Sequence, residues 1–268
     1  MALNIVVCVK NTPSTLAVPV DAATGLPKTA GLVFAINPLD EYAVEEAVRI
    51  KERTPGATVT ALALGPESDH VVLREAISRG CDAGVLLCGP ELQGGDSFAV
   101  SRALAAAVKK LSGQKPVSLV LFGKNTNDDN SGAVGGQVAA WLDWPAVLSV
   151  KKIESLNESA AVLWRMMEDG VDKVKVRLPA AVGTVKEINE PRMPSLKGKL
   201  AAKKASITTW TAADLALNAD CVGVQGARVK LARSAAPPPR PAGARIAGAT
   251  PAQTAEKLVA ALIEKKLL

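Results

Sequence analysis

Over its first 150 residues the chain alternates short apolar runs with segments whose apolar residues repeat at helical spacing. The runs are 4–9, 58–64, 84–88, 117–122 and 146–153. Asn37-Pro38-Leu39-Asp40 opens a segment with Ala43, Val44, Ala47, Val48 and Ile50 on one face and Glu45, Glu46, Arg49 and Lys51 on the other. Asn37 suits an N-cap and Pro38 the first helical position. Residues 68–79 and 97–111 are further helical segments, and Gly80 is placed to stop the first of them. Such alternation predicts an α/β fold: a parallel sheet with helices on both faces, since parallel neighbours need crossovers. Ligands in these sheets sit beyond the carboxyl ends of the strands. The loops there begin at Lys10, Leu64, Gly89 and Gly123.

The last of these loops is the most informative. Gly123-Lys124-Asn125-Thr126-Asn127-Asp128-Asp129-Asn130-Ser131-Gly132-Ala133-Val134-Gly135 follows a buried strand and precedes a short helix at 137–142. A polar, Gly-rich turn into a helix start presents backbone N–H groups to a phosphate. The same composition also suits an ordinary surface turn. Asp128 and Asp129 would repel a phosphate unless they face ribose hydroxyls or solvent.

Little else could do chemistry. The four cysteines, at 8, 81, 88 and 221, form no CxxC pair, which argues against a zinc or dithiol site. The single histidine, His70, follows a turn and is expected at the start of a solvent-facing helix. A His-based triad or metal centre is excluded. Gly94-Gly95-Asp96-Ser97 resembles a shortened pyrophosphate loop of ATP pyrophosphatases, and equally an N-cap at Asp96 or Ser97. Trp141 and Trp144 suit core packing better than flavin stacking. No apolar run reaches the ~18 residues a membrane span needs, and no signal-peptide pattern precedes the first strand. A cytoplasmic protein, or one of a mitochondrial-type matrix, is expected.

Beyond residue 153 the pattern changes. Residues 160–167 and 171–177 read as a hairpin around Glu168-Asp169-Gly170, and 178–185 as another strand. Residues 189–205 read as a loop running into a short basic helix, and 251–268 as a final amphipathic helix. Ten Lys or Arg against two Asp lie between Pro191 and Arg245, which leaves the rest of the chain at −2 of the overall +6. That segment lacks interleaved aromatics apart from Trp210, so a partner-facing role is favoured over nucleic acid. Met193 and Leu196 are apolar residues stranded in it and suit protein docking. Residues 235–241 hold four prolines and should be extended.

Several segments are similar, in order and spacing, to the β subunit of electron transfer flavoproteins. They are Asn4-Ile5-Val6-Val7-Cys8-Val9-Lys10, Ile36-Asn37-Pro38-Leu39-Asp40-Glu41-Tyr42-Ala43-Val44-Glu45-Glu46-Ala47, Gly123-Lys124, Leu142-Asp143-Trp144-Pro145 and Asn189-Glu190-Pro191-Arg192. The resemblance implies a Rossmann-like adenine-nucleotide-binding domain over 1–188 and a partner-recognition loop over 189–206. It implies a C-terminal extended arm and helix over 207–268 that pack on an α subunit. In that heterodimer the α subunit holds most of an electron-carrying FAD. The β subunit holds AMP or, in electron-bifurcating forms, a second FAD. The implied role is an electron carrier without catalytic residues or metal, as in fatty acid oxidation. It would pass electrons from acyl-CoA dehydrogenase-type donors to a quinone oxidoreductase or other acceptor.

Positions matching the family's nucleotide pocket are Cys8, Asn37, Pro38, Leu39, Asp40, Leu64, Gly123, Asn125, Thr126, Asp128, Asp129, Asn130, Ser131, Gly132, Ala133 and Val134. Those matching its docking loop are Arg192, Met193 and Leu196, the last being the leucine that anchors in a dehydrogenase pocket. Asn125-Thr126-Asn127-Asp128-Asp129-Asn130 stands where the family has Gln-Ala-Ile-Asp-x-Asp, and Ala133 where it has Gln.

Overall fold

The computed structural model describes residues 3–235, 238, 240 and 242–268. Strand β1 (Asn4–Cys8) leads to a wide antiparallel pair, β2 (Asn11–Pro13) and β3 (Phe34–Ile36), and then to helix α1 (Pro38–Arg53). Next come β4 (Thr58–Leu64), α2 (His70–Arg79), β5 (Ala83–Leu87), α3 (Ser97–Gln114), β6 (Leu119–Gly123) and α4 (Val134–Leu142). The chain continues through β7 (Ala146–Leu156), β8 (Ala160–Met166), β9 (Val171–Arg177) and β10 (Ala180–Thr184). Helix α5 (Leu196–Lys204), β11 (Ile207–Trp210), the short α6 (Gly223–Gly226) and α7 (Pro251–Glu264) complete it.

The expected α/β class is what forms. Among the described residues nine strands make one sheet in the order β11-β5-β4-β1-β6-β10-β7-β8-β9. The run from β11 to β7 is parallel, and β7, β8 and β9 are antiparallel. Two features differ from a simple reading of the alternation. Strand β7 does not lie beside β6; β10 returns from the hairpin and is inserted between them, parallel to both. Periodicity gives each strand's existence but not its neighbour. The second feature is β11, a four-residue edge strand on β5 that the sequence reading did not single out. Its signal is weak because only Trp210 of the four is buried.

Strand alternation divides the core. Ile5 and Val7 point to a layer with Ala43, Ala47 and Val48 of α1 and Val72 and Leu73 of α2. Val6 and Cys8 point to the opposite layer, with Leu104 and Val108 of α3 and Val138 of α4. Because the sheet is covered on both faces, β1 is buried throughout.

The chain divides into two units, one running to Pro19 and through Pro27–Ala232, the other comprising Val20–Leu26 and Arg233–Leu268. The second unit contains α7, in which no residue is buried and Leu258, Val259 and Ile263 are exposed. Of the proline-rich stretch expected to be extended, residues 236, 237, 239 and 241 lie outside the described residues. Among the described residues no helix is long and apolar enough to cross a membrane.

Leu121 is fully buried and Leu258 about half exposed. Chemical denaturation should therefore show Leu121→Ala losing about 2–5 kcal/mol, and Leu258→Ala changing stability by about 0.5 kcal/mol or less.

Candidate functional site

The carboxyl ends of β1, β4 and β6 open into a cleft of about 340 Å³. Strand order places it beside the central β1, where the connections turn to opposite sides. Of the residues singled out in the sequence, Cys8, Asp40, Leu64, Gly123, Asn125, Thr126, Asp129, Ser131, Gly132, Ala133 and Val134 line it. Asn37, Pro38, Leu39, Asp128 and Asn130 are not on its wall. The wall also holds Lys10, Asn11, Asp69 and Gly94–Ser97, which were not assigned to a nucleotide pocket. The signal for Lys10 and for 94–97 was the strand-edge rule, since both lie in loops that leave a carboxyl end.

Asn37 requires a correction. It stands at the N-cap of α1, but its side chain makes no capping hydrogen bond. The amide instead spans to the 123–135 loop: Nδ2 donates to the Asn125 carbonyl at 2.9 Å, and Oδ1 accepts from the Asn127 N–H at 3.1 Å. The side chain is fully buried. Two otherwise unpaired main-chain groups of the loop are worth more to a buried amide than one helix-end N–H.

The loop is further fixed from within. Asn127 Nδ2 donates to the Pro13 carbonyl at 3.1 Å, and Asn125 and Asn130 share an amide–amide bond. Asn130 adopts φ +56°, a left-handed conformation Asn tolerates. Both acids are engaged by donors, Asp128 off the cleft wall and Asp129 on it. Asp128 forms a 2.6 Å ion pair with Lys10. Partial burial pushes its pKa up, but hydrogen bonds from Lys10 and Thr126 and the Lys10 charge together outweigh this and leave the carboxyl below its usual range. Asp129 accepts from the Ser131 N–H at 2.8 Å and from the Thr126 hydroxyl at 3.1 Å.

Two helices begin at the cleft, and they differ. At α3 the Asp96 carboxylate caps the end, accepting from the Ala99 N–H at 3.0 Å. Its other oxygen takes the N–H groups of Arg228 and Val229, both at 2.8 Å. The 94–97 segment is thus built as a cap. At α4 the cap residue is Ala133, and no side chain caps it. The first N–H groups of α4 therefore face the cleft with the positive end of the helix dipole.

The floor is Asp40, whose Oδ2 accepts the Lys10 N–H at 2.9 Å. A Cβ at Gly123 would lie 2.5 Å from Asp40 Oδ1 and 2.7 Å from the Leu39 carbonyl, so only glycine fits there. Burial raises the Asp40 pKa to about 7, against the opposing Asn37 amide and the Lys10 and Gly123 N–H groups. Burial, and then the Asp40 charge, push the Cys8 thiol upward, so it stays protonated and unreactive. Asn11 Nδ2 donates to Asp69 at 2.8 Å, while its buried Oδ1 has no partner.

Other candidates resolve simply. Trp141 packs edge-on to Phe98 at 5.2 Å and donates to the Ser101 hydroxyl. His70 starts α2, with Nε2 3.3 Å from the Thr209 hydroxyl. Among the described residues no group of three or more His, Cys, Asp or Glu could hold a metal. Met193 and Leu196 are 83% and 76% exposed, whereas the Arg192 guanidinium is bound within the chain by Glu45 and Glu52.

Asn37→Ala should lower stability by about 1–3 kcal/mol and speed amide exchange at Asn127. Asp40 is protonated more readily in the folded chain than in the unfolded one. Its contribution is complete below about pH 4 and lost as pH rises through about 7. Unfolding free energies measured across that window should flatten in Asp40→Asn.

Residues 28–215 match the family model described as the electron transfer flavoprotein domain. The chain is 35% identical over 99% of its length to the caffeyl-CoA reductase-Etf complex subunit CarD of Acetobacterium woodii, covering all of that protein. It is 34% identical over 90% of its length to the electron transfer flavoprotein subunit beta of Thermoanaerobacterium thermosaccharolyticum, covering 91% of it. It is 31% identical over 99% of its length to the acryloyl-CoA reductase electron transfer subunit gamma of Anaerotignum propionicum, covering all of it.

Proposed function

The chain belongs to the electron transfer flavoprotein family as a β-type subunit, and on that premise we propose that its cleft holds an adenine nucleotide while Met193 and Leu196 dock a redox partner. The observation that carries the nucleotide reading is the uncapped start of α4, at the end of a loop clamped by Asn37.

The residues present fit such a ligand. Backbone N–H groups from Gly132 to Gly135 suit a phosphate, the Ser131 N–H being taken by Asp129. The orphaned Asn11 Oδ1 and the Asp69 carboxylate suit the donors of a ribose or an adenine amino group. Lys10 offsets the Asp128 charge, and the Thr126 hydroxyl and the Ser131 N–H take one oxygen of Asp129. The nucleotide is AMP, or a second FAD in a bifurcating complex.

A β-type subunit acts with an α subunit, and in this reading that partner holds most of the electron-carrying FAD. The redox chemistry is the flavin's; this chain completes its surroundings, orders a nucleotide and presents a docking loop. The exposed apolar residues of α7 suit contact with the α subunit. The redox partners are flavoenzymes acting on acyl-CoA, a class consistent with the names of two relatives, a caffeyl-CoA and an acryloyl-CoA reductase subunit. A quinone oxidoreductase or similar protein accepts the electrons.

The chain co-purified with its α partner should release one FAD and one AMP per heterodimer after acid treatment. Two FAD and no AMP would place it among bifurcating complexes, and absence of both nucleotide and partner would overturn the reading. Leu196→Ala should slow electron transfer with an acyl-CoA dehydrogenase-type donor without changing flavin content. Normal donor-coupled turnover would remove the docking role.

A further inference from the structure

We propose that α2 is a platform that presets the docking segment, with Arg74 and Arg79 as positioning residues acting through its main-chain carbonyls; this rests on the docking role proposed for Met193 and Leu196. The two arginines lie five residues apart on one helix and grip opposite ends of the segment. Arg74 Nη1 donates to the carbonyls of Ala202, Lys203 and Ala205, at 2.5, 3.3 and 3.1 Å. These carbonyls lie at the end of α5, where Ala202 also accepts the Ala205 N–H, and a cation there complements the helix dipole. Arg79 Nη1 donates to the Arg192 carbonyl at 3.2 Å, one residue before the exposed Met193.

Arg79 is itself held. Its Nη2 pairs with Glu41 at 2.6 Å and Glu75 at 2.8 Å, and the side chain is 8% exposed. The chain entering the segment is pinned to α1 as well. Asn189 Nδ2 donates to the Tyr42 carbonyl and to Glu46, and Arg49 donates to the Glu190 carbonyl. Arg192 bonds Glu45 through its N–H and its guanidinium, and Glu52 through both terminal nitrogens.

Between these grips the segment touches α2 directly. A Cβ at Gly198 would lie 2.1 Å from the Ser78 carbonyl oxygen, so only glycine lets α5 lie this close. Ser195 caps α5 by accepting the Gly198 N–H at 3.0 Å, and Ala202 is buried underneath. The outcome is a short helix whose first residue, Leu196, projects outward from a fixed base. Most docking loops must be ordered when they bind; here the ordering is done in advance, which favours affinity over turnover.

The test uses the intact heterodimer and steady-state electron transfer from an acyl-CoA dehydrogenase, with the carrier as the varied substrate. Arg74→Gln and Gly198→Ala should each raise KM about three- to tenfold with kcat within about twofold, since ordering a few side chains costs on this scale. Both should speed amide exchange over residues 196–204 and leave FAD content unchanged. Arg74→Lys, which keeps a cation for the three carbonyls, should recover part of the loss. Leu196→Ala should raise KM without faster exchange. Faster exchange in Arg74→Gln and Gly198→Ala with an unaltered KM would overturn the positioning role and leave docking intact. Unchanged exchange in both would overturn it as well. An unaltered KM in Leu196→Ala would remove the docking role itself. Gly198 belongs to α5 and lies outside the ion-pair network of α2, so this variant keeps the proposal testable if Arg74→Gln fails to assemble.

Discussion

A parallel sheet leaves every strand's carboxyl end open, and the main-chain groups there must find partners without closing the cleft they form. In this protein one buried amide answers much of that need. Asn37 reaches from the start of α1 to the loop after β6 and satisfies an N–H and a carbonyl at once. The loop can then run across the strand ends without helical or sheet structure of its own. Its internal bonds from Asp129, Asn130 and Thr126 complete the order. Gly123 and Asp40 sit beneath it, too close for any side chain at 123. The open start of α4 therefore faces a wall that is already rigid, and a ligand meeting it would order little.

Charge is handled the same way on the outside of α1 and α2. Glu41, Glu45 and Glu46 would be costly half-buried or buried carboxylates if unpaired. Each meets an arginine: Arg79 beside Glu41 also holds the Arg192 carbonyl, Glu45 binds Arg192 itself, and Glu46, paired with Arg53, also accepts from Asn189. Burial pushes the Glu45 carboxyl up, but hydrogen bonds from Arg192 and Arg49 prevail and hold it below its ordinary range. The basic character read from the sequence in this segment is thus of two kinds. Arg192 is engaged inward, while Lys203 and Lys204 end an exposed helix.

The fold class, six of the seven parallel strands and the four principal helices around them follow from apolar patterning, which is strongest in β1, β4, β5, β6 and β10, whose residues are mostly buried. The strand-edge rule also names the loops that form the cleft. Three things could not be read. The place of β10 depends on which slot between β6 and β7 remains free, a property of the whole sheet. Strand β11 has one buried side chain in four and hence no run to detect. Asn37 does stand at the N-cap, as its place before Pro38 suggests, but the partners of its side chain are some ninety residues away and leave no local signal. Asp128 shows the same limit. Its sign suggested repulsion, and only its contact with Lys10 removes it.

The insertion of β10 has a bearing on how the chain is made. Strand β6 and strand β7 leave the ribosome before β10, and the antiparallel wing of β8 and β9 intervenes. At ordinary synthesis rates, the gap between the start of β7 and the start of β10 lasts about two to seven seconds. During that time Leu121 and its neighbours on β6 have an unpaired strand edge, of the kind that invites wrong pairing. The sheet closes only when Ala180–Thr184 arrives. A nascent chain stopped before that point would hold a complete set of cleft-forming loops on a sheet that is not yet sealed.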